Sequence, residues 1–204
     1  MIGAIFFDFD GVLTLNERGS TVTIQAIQES NPDVPAERIR ECYYKFTRQL
    51  LLGEKDHRSI WKDFCECIGK DADAQVLEYA FSKTPLNEGM IRLASELAPN
   101  YRLGIITENA LDRMTFLIRK HVLDALFDPI VISARVGKLK DDPGLFEHAV
   151  RLVGQKPGDC AFVDNQEKNL TAAEAIGLKT CLFDPKQNDV QRLRSRLSMW
   201  GAGF

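Results

Sequence analysis

Five short apolar runs constrain the fold of this chain more than any other feature. Each is three to six residues long and continuous, which is typical of strands buried on both faces of a parallel sheet. Amphipathic segments with apolar residues at three- and four-residue spacings lie between them, at 111–121, 145–153 and 168–176. This alternation predicts an α/β fold with a doubly wound parallel sheet. The runs are 2–7, 103–106, 130–132, 160–163 and 180–183.

The segment between the first two runs, residues 15–84, is helical by pattern and contains no strand-like run. A crossover between parallel strands needs only about a dozen residues. We therefore predict a core α/β domain of residues 1–14 and 85–204 and an inserted α-helical domain of residues 15–84. Hinges are expected at 15–20 and 82–86. The predicted helices of the insertion are 24–29, 36–52, 59–68 and 74–81.

Composition and charge exclude several classes of protein. Hydrophobic residues make up 45% of the chain and the net charge is -3, so no general attraction to nucleic acid or to an anionic membrane is expected. The apolar N-terminus lacks a basic lead, and no stretch is long enough to span a bilayer, so we expect a soluble, cytoplasmic protein. All five cysteines are expected to be reduced, because their spacing is typical of neither a zinc site nor a redox pair.

Polar side chains follow four of the five predicted strands. Because ligands bind beyond the carboxyl ends of the strands in such sheets, we expect these side chains to converge. They include three aspartates, a threonine and two lysines from distant parts of the sequence. The residues are Asp8 and Asp10; Thr107, Glu108 and Asn109; Ser133, Lys138 and Lys140; and Asp164 and Asn165.

This set resembles the four motifs of the haloacid dehalogenase superfamily. Residues 8–12, Asp-Phe-Asp-Gly-Val, match its DxDGV motif, and Thr107 matches the Ser/Thr at the end of the second strand. Lys140 matches the lysine of the third motif, and Asp164 matches the acidic fourth motif. The helical insertion is similar to a subclass I cap. The resemblance spans the whole sheet domain.

The resemblance implies a phosphoryl-transfer mechanism that suits these residue types. Asp8 is expected to be the nucleophile and Asp10 the general acid/base. Mg²⁺ would offset the repulsion between a carboxylate and a phosphate, held by Asp8, Asp164 and the backbone carbonyl of Asp10. Thr107 and Lys140 would stabilise the phosphoryl oxygens. Lys140 would also keep Asp8 and Asp164 ionised.

Each of these residues also has a simpler interpretation. The two acids after the first strand are compatible with a plain turn. Thr107 is compatible with a helix cap, and Lys138 competes with Lys140 for the catalytic position. We favour Lys140 because its spacing to Pro143 fits the family, and we interpret Lys138 as a surface residue.

Three residues depart from the family pattern. Asn165, a further candidate metal ligand, stands where a second acid is usual, which can weaken metal binding. Asp141 replaces the proline that usually follows the lysine, and its carboxylate can compete for Lys140. Glu108 lies in the position usually taken by asparagine, where its charge is unfavourable near phosphate unless it points away.

Candidate substrate-binding residues come from two places. Glu108 and Asn109 follow the second strand, and the loop at 51–58, with Gly53, Lys55 and Arg58, is similar to the cap loop that contacts substrate in subclass I members. The histidines, at 57, 121 and 148, have no metal-ligand spacing and are expected at the surface or at helix ends.

The sequence therefore predicts a phosphomonoester hydrolase whose partner is a small phosphorylated metabolite. A phosphomutase of the beta-phosphoglucomutase type and a catalytically silent binding protein remain alternatives. A dehalogenase is disfavoured, because those enzymes lack the second aspartate of DxD. The sequence leaves open whether the protein is a monomer or a homodimer.

Overall fold

A parallel five-stranded sheet forms the centre of the computed structural model, which describes residues 2–203. The spatial order is β3-β2-β1-β4-β5, with every neighbouring pair parallel. This arrangement confirms the predicted doubly wound α/β fold. The strands are β1 Ala4–Phe7, β2 Arg102–Thr107, β3 Ile130–Ile132, β4 Cys160–Asp164 and β5 Lys179–Leu182.

Five helices lie between β1 and β2, within the segment at 15–84 that we call the cap. They enclose an apolar cluster that includes Ile39, Phe64 and Phe81 and to which Ala110, outside the cap, also contributes. At the junction with the sheet, Thr14 and Leu86 form an antiparallel bridge. The helices are α1 Gly19–Ser30, α2 Ala36–Tyr44, α3 Thr47–Leu51, α4 His57–Ile68 and α5 Val76–Ser82.

Six further helices flank the sheet. None of the helices within residues 2–203 is long and apolar enough to cross a membrane. Side chains of β1 alternate between the two faces: Ile5 and Phe7 join one apolar cluster, and Ala4 and Phe6 join another, which accounts for the uninterrupted apolar run. The helices are α6 Glu88–Leu97, α7 Leu111–His121, α8 Ser133–Val136, α9 Pro143–Val153, α10 Glu167–Ala175 and α11 Val190–Met199.

Two expectations about the cap were wrong. The predicted helix at 36–52 is divided into α2 and α3 by a turn at Lys45 and Phe46. Cys42 and Cys67 form a disulfide, with Cα atoms 5.8 Å apart, so only Cys65, Cys160 and Cys181 are free. Local spacing could not reveal this pair, because its two members are brought together by the packing of α2 against α4.

Candidate active site

The register of the sheet places Asp8 and Asp164 side by side. Phe7, the last residue of β1, pairs with Val163 of β4, so the next residue of each strand is an aspartate at the same edge. On the other side Phe7 pairs with Ile105, which brings Thr107 to this edge as well. Asp8 directly follows β1 and caps the next turn, where its Oδ1 accepts a hydrogen bond of 2.7 Å from the N–H of Phe9.

Lys140 joins the two aspartates. Its Nζ lies 2.8 Å from Asp8 Oδ1 and 2.6 Å from Asp164 Oδ2. All three side chains are buried, with at most 5% of any residue exposed. Lys138, by contrast, lies at the surface and pairs with Asp142 at 2.7 Å. Of the two candidate lysines, Lys140 is therefore the one in the site.

In this buried cluster of two carboxylates and one ammonium group, each charge affects the pKa values of its neighbours. Burial raises the pKa of Asp8, Lys140 opposes this increase and the charge of Asp164 reinforces it, so that the pKa is about 8. Burial alone would lower the pKa of Lys140, but the charges of Asp8 and Asp164 outweigh it and raise that pKa above its ordinary value. The cluster has more acidic than basic groups and is suited to an additional cation.

Asp164 is held from several sides. Its Oδ1 accepts a hydrogen bond of 2.7 Å from the N–H of Gln166, at the start of α10. The side-chain amide of Asn169 donates to both carboxylate oxygens, at 3.1 and 3.2 Å. With Lys140 on Oδ2, the Asp164 side chain has a fixed orientation.

The residues after β2 complete the floor of the site. Thr107 is buried and does not cap α7, whose N-cap residue is Ala110. The amide of Asn109 donates to Asp10 Oδ2 at 2.8 Å and to Thr107 Oγ1 at 3.3 Å. Glu108 Oε1 accepts a hydrogen bond of 2.6 Å from the backbone N–H of Lys140, and so holds the loop that carries the lysine.

Asp10 has a partner that the sequence motifs did not indicate. The guanidinium of Arg113, on α7, approaches it with Nη1 2.7 Å from Oδ2 and Nη2 2.9 Å from Oδ1. Arg113 is 2% exposed and Asp10 8%. This two-point ion pair fixes both the position and the plane of the carboxylate.

A cavity of about 290 Å³ opens over these residues, between the cap and the edge of the sheet. Its floor includes both aspartates of the first motif. On the cap side, some of the lining residues are polar and others are apolar. The core lining includes Asp8, Asp10, Thr107, Glu108, Asn109, Arg113 and Lys140, and the cap lining includes Tyr43, Tyr44, Thr47, Leu50, Leu51 and His57.

Comparison with known families agrees with this arrangement. The model of the haloacid dehalogenase-like hydrolases matches residues 2–177. The chain belongs to this family. It is therefore a hydrolase of the haloacid dehalogenase type.

Relatives of this hydrolase include enzymes that act on phosphorylated compounds. N-acylneuraminate-9-phosphatase from Rattus norvegicus is 23% identical, over 93% of this chain and 85% of its own. Beta-phosphoglucomutase from Bacillus subtilis is 26% identical, over 86% of this chain and 80% of its own. A family enzyme from Bacteroides thetaiotaomicron, solved as a magnesium complex, superposes with a TM-score of 0.80 at 17% identity, over 95% of this chain and 98% of its own.

The loop at 51–58 does not bring Gly53, Lys55 and Arg58 to the cavity of the hydrolase. Gly53 instead lies against the core: a Cβ there would be 1.9 Å from the carbonyl oxygen of Ala134, so only glycine allows the close approach. Lys55 and Arg58 form ion pairs with other cap residues, with Asp63 at 3.6 Å and with Glu78 at 2.9 Å.

His57 lies at a helix end, as the sequence predicts, but it does not face the solvent. It is the first residue of α4 and is only 1% exposed. Its Nε2 lies 2.8 Å from Tyr43 Oη, and its Nδ1 lies 2.9 Å from Asp112 Oδ1. The histidine is thus part of a polar connection between the cap and the core.

The residues at the sheet edge fit a magnesium ion by their chemistry. Asp8 and Asp164 supply hard oxygen atoms, as Mg²⁺ prefers. The side-chain oxygen of Asn165 is buried and has no hydrogen-bond partner among the described residues, so it is a further candidate. No cluster of three or more His, Cys, Asp or Glu side chains suited to a metal occurs in residues 2–203. A site here would therefore depend on backbone, amide and water oxygens in addition to the two carboxylates.

Arg113 and Tyr43 are the main residues that the sequence analysis missed, yet both left a signal. Arg113 lies three residues after Ala110 and four before Leu117, on the buried stripe of α7. A charge on such a stripe indicates a buried partner. Tyr43 precedes Thr47 by four residues, and both line the cavity.

Proposed function

We propose that this hydrolase is a Mg²⁺-dependent phosphatase that removes phosphate from a small metabolite through an aspartyl phosphate on Asp8. The observation that carries the proposal is the contact of Lys140 with both Asp8 and Asp164 at the floor of a cavity that Asp10 also lines. It brings together a nucleophile, a buried cation and an acid/base carboxylate.

The chemistry divides into two displacements. In the first, a carboxylate oxygen of Asp8 attacks phosphorus, the bond from phosphorus to the leaving oxygen breaks, and Asp10 gives its proton to that oxygen. In the second, Asp10 takes a proton from water as the water attacks phosphorus, and the bond from phosphorus to Asp8 breaks. Inorganic phosphate leaves, and both carboxyl groups return to their starting states.

The other residues of the floor act on charge and position. Lys140 offsets negative charge on Asp8 and on the phosphoryl oxygens, and Thr107 offers a hydroxyl donor beside them. A magnesium ion held by Asp8, Asp164 and the backbone carbonyl of Asp10, with Asn165 as a further candidate, would neutralise the phosphate. The family enzyme from Bacteroides thetaiotaomicron has also been solved with magnesium and inorganic phosphate, which supports this choice of ion.

The size of the cavity favours a small substrate. A volume of about 290 Å³ lies at the lower end of the range for small-molecule sites. Its cap side includes the polar residues Tyr43 and Thr47 beside the apolar Leu50 and Leu51. A compact phosphate ester with at least one polar group is the class of ligand that this lining suits.

A phosphomutase is the second candidate, because beta-phosphoglucomutase is among the relatives that this chain matches over most of its length. In that reaction the phosphoryl group passes from Asp8 to a second hydroxyl of the sugar instead of to water. Incubation with hexose phosphates separates the two candidates: a hydrolase releases inorganic phosphate, whereas a mutase moves the phosphate within the sugar.

The test is phosphate release from a panel of phosphorylated metabolites, with magnesium and with a chelator. We expect release that requires magnesium and is lost in Asp8→Asn. The matched control is Asp141→Asn, an exposed acid beside Lys140, which should keep its activity. Release that persists in Asp8→Asn would exclude Asp8 as nucleophile, and magnesium-independent release would exclude the metal.

A further inference from the structure

The carboxylate of Asp10 is held by the core, not by the cap. Arg113 donates to both of its oxygens, and Asn109 donates to Oδ2 at 2.8 Å. Arg113 also donates from Nη1 to Asn109 Oδ1 at 2.8 Å, so the three side chains form a closed set. The backbone N–H of Asn109 in turn donates to Ser133 Oγ at 3.0 Å, which ties the set to the end of β3.

The cap leaves room for this set at its two connections to the core. A Cβ on Gly19, the first residue of α1, would lie 2.3 Å from Arg113 Nη1 and 2.7 Å from Asp10 Oδ2, so no larger residue fits without displacing the ion pair. At the other connection, Arg113 Nη2 lies 3.4 Å from Thr84 Oγ1. Arg113 therefore lies next to both of the segments that connect the cap to the core.

The two oxygens of Asp10 differ in what they can still bind. Oδ2 accepts hydrogen bonds from Arg113 and from Asn109, which use both of its lone pairs. Among the described residues, Oδ1 accepts only from Arg113 Nη2. Oδ1 is consequently the oxygen with a lone pair left, which can carry the proton that is given to the leaving group and can accept the proton of the attacking water.

We propose that Arg113 is a positioning residue for catalysis, which holds the Asp10 carboxylate so that Oδ1 is the atom that exchanges protons with the substrate and water. This inference rests on the proposed phosphatase function. The guanidinium is suited to the task because its two parallel N–H groups fix the carboxylate plane, whereas a lysine offers one point of contact and leaves the plane free to rotate.

A purely structural role for Arg113 makes a different prediction. Loss of a buried ion pair destabilises the fold and would lower activity equally toward every substrate. If Arg113 acts through Asp10, its loss should lower activity selectively. A leaving group that is already a stable anion needs little protonation by a general acid, whereas an alkoxide leaving group depends on it. The dependence of the reaction on the leaving group therefore separates the two roles.

The experiment compares kcat/KM for p-nitrophenyl phosphate and for an alkyl phosphate from the substrate panel, because kcat/KM reports the first displacement. In Arg113→Lys we expect about a 100-fold loss on the alkyl ester and less than about a 10-fold loss on the aryl ester, by the usual size of acid/base effects. The control, Arg119→Lys, changes an exposed residue of the same helix and should alter neither value.

A second pair of variants keeps the test decisive if Arg113→Lys does not fold. Asp10→Asn and Asp10→Asn/Arg113→Met both lack the ion pair, and the double variant leaves no unpaired buried charge at these positions. We expect equal kcat/KM in the two, because Arg113 has no carboxylate to position. A further loss in the double variant, or equal losses on both esters in a folded Arg113→Lys, would overturn the proposal for Arg113 alone. Inactive wild-type protein, or release that survives Asp8→Asn, would overturn the phosphatase function as well.

Discussion

The imidazole Nδ1 of His57 lies 2.9 Å from Asp112 Oδ1 and connects the cap to the core. The backbone N–H of His57 donates to the other carboxylate oxygen at 3.1 Å, so one carboxylate receives both polar groups at the start of α4. Burial alone would raise the pKa of Asp112, but these hydrogen bonds and the charge of His57 outweigh it and hold that pKa below its ordinary value. The contact lies at the boundary of the proposed substrate cavity, because His57 also lines that cavity.

We expect Asp112→Asn to destabilise the protein by about 1.5–3 kcal/mol near pH 7, the usual contribution of hydrogen bonds to a charged group. Because the pKa of Asp112 is lowered by folding, its contribution is present above the unfolded pKa of about 3.9 and is lost as the pH falls further. Urea unfolding at pH 7 and at pH 3 measures the difference. The control is Asp124→Asn, at an exposed position. A pH-independent effect of Asp112→Asn would contradict this account.

Lys140 and Lys138 provide a matched comparison of two lysines in one loop. Lys140→Met leaves Asp8 and Asp164 without their shared cation, so we expect about 3–5 kcal/mol of lost stability together with loss of phosphate release. Lys138→Met removes a surface pair and should cost no more than about 1 kcal/mol. Chemical denaturation and phosphate release measure both. Equal effects of the two substitutions would show that the buried cluster is essential neither to stability nor to phosphate release.

The sheet could be predicted because its strands are buried on both faces. Residues 4–7 supply apolar side chains to both clusters, so the strand is recognisable without any knowledge of its neighbours. Convergence of Asp8, Thr107 and Asp164 followed from parallel strands ending at one edge. These features depend on local composition and on a general rule of the fold.

The missed contacts depend on residues far apart in sequence. Arg113 and Asp10 are 103 positions apart, and nothing near either residue identifies the other. His57 and Asp112 are likewise separated by 55 positions. The positions of Lys55 and Arg58 depended on how the cap rests on the core, where Gly53 contacts Ala134. Local pattern carries no information on that packing.

Asp8 is expected to lower the stability of the metal-free protein, because burial raises its pKa from about 3.9 in the unfolded chain to about 8. The folded state then binds more protons than the unfolded state, so stability is lost as the pH rises from about 4 to about 8. Asp8→Asn removes this loss of stability at high pH, because asparagine does not titrate. In a chelator we expect its Tm to exceed that of the wild type at pH 8, by about 2–4 °C for each kcal/mol recovered.

The pH dependence gives this prediction its control. At pH 3 the Asp8 carboxyl is protonated in the folded protein and in most of the unfolded chains, so the two Tm values should converge there. Scanning calorimetry across this range measures both. A variant that is less stable than the wild type at pH 8 without metal would show that the carboxylate contributes more through its contact with Lys140 than it costs through burial.

The Cys42–Cys67 disulfide should stabilise the cap, because it closes a loop with a sequence separation of 25 between α2 and α4. Chain entropy for a loop of this length amounts to about 3.5 kcal/mol. We expect a reductant to lower the Tm of the wild type and to leave that of Cys42→Ser unchanged. Cys181→Ser, which alters a free thiol of the core, should respond to the reductant as the wild type does.

Alkylation followed by mass measurement should find three reactive thiols in the unfolded oxidised protein and five after reduction, since five cysteines are present and three are free. Five thiols before reduction would contradict the disulfide, and an equal Tm shift in Cys42→Ser would assign the effect of the reductant to another site.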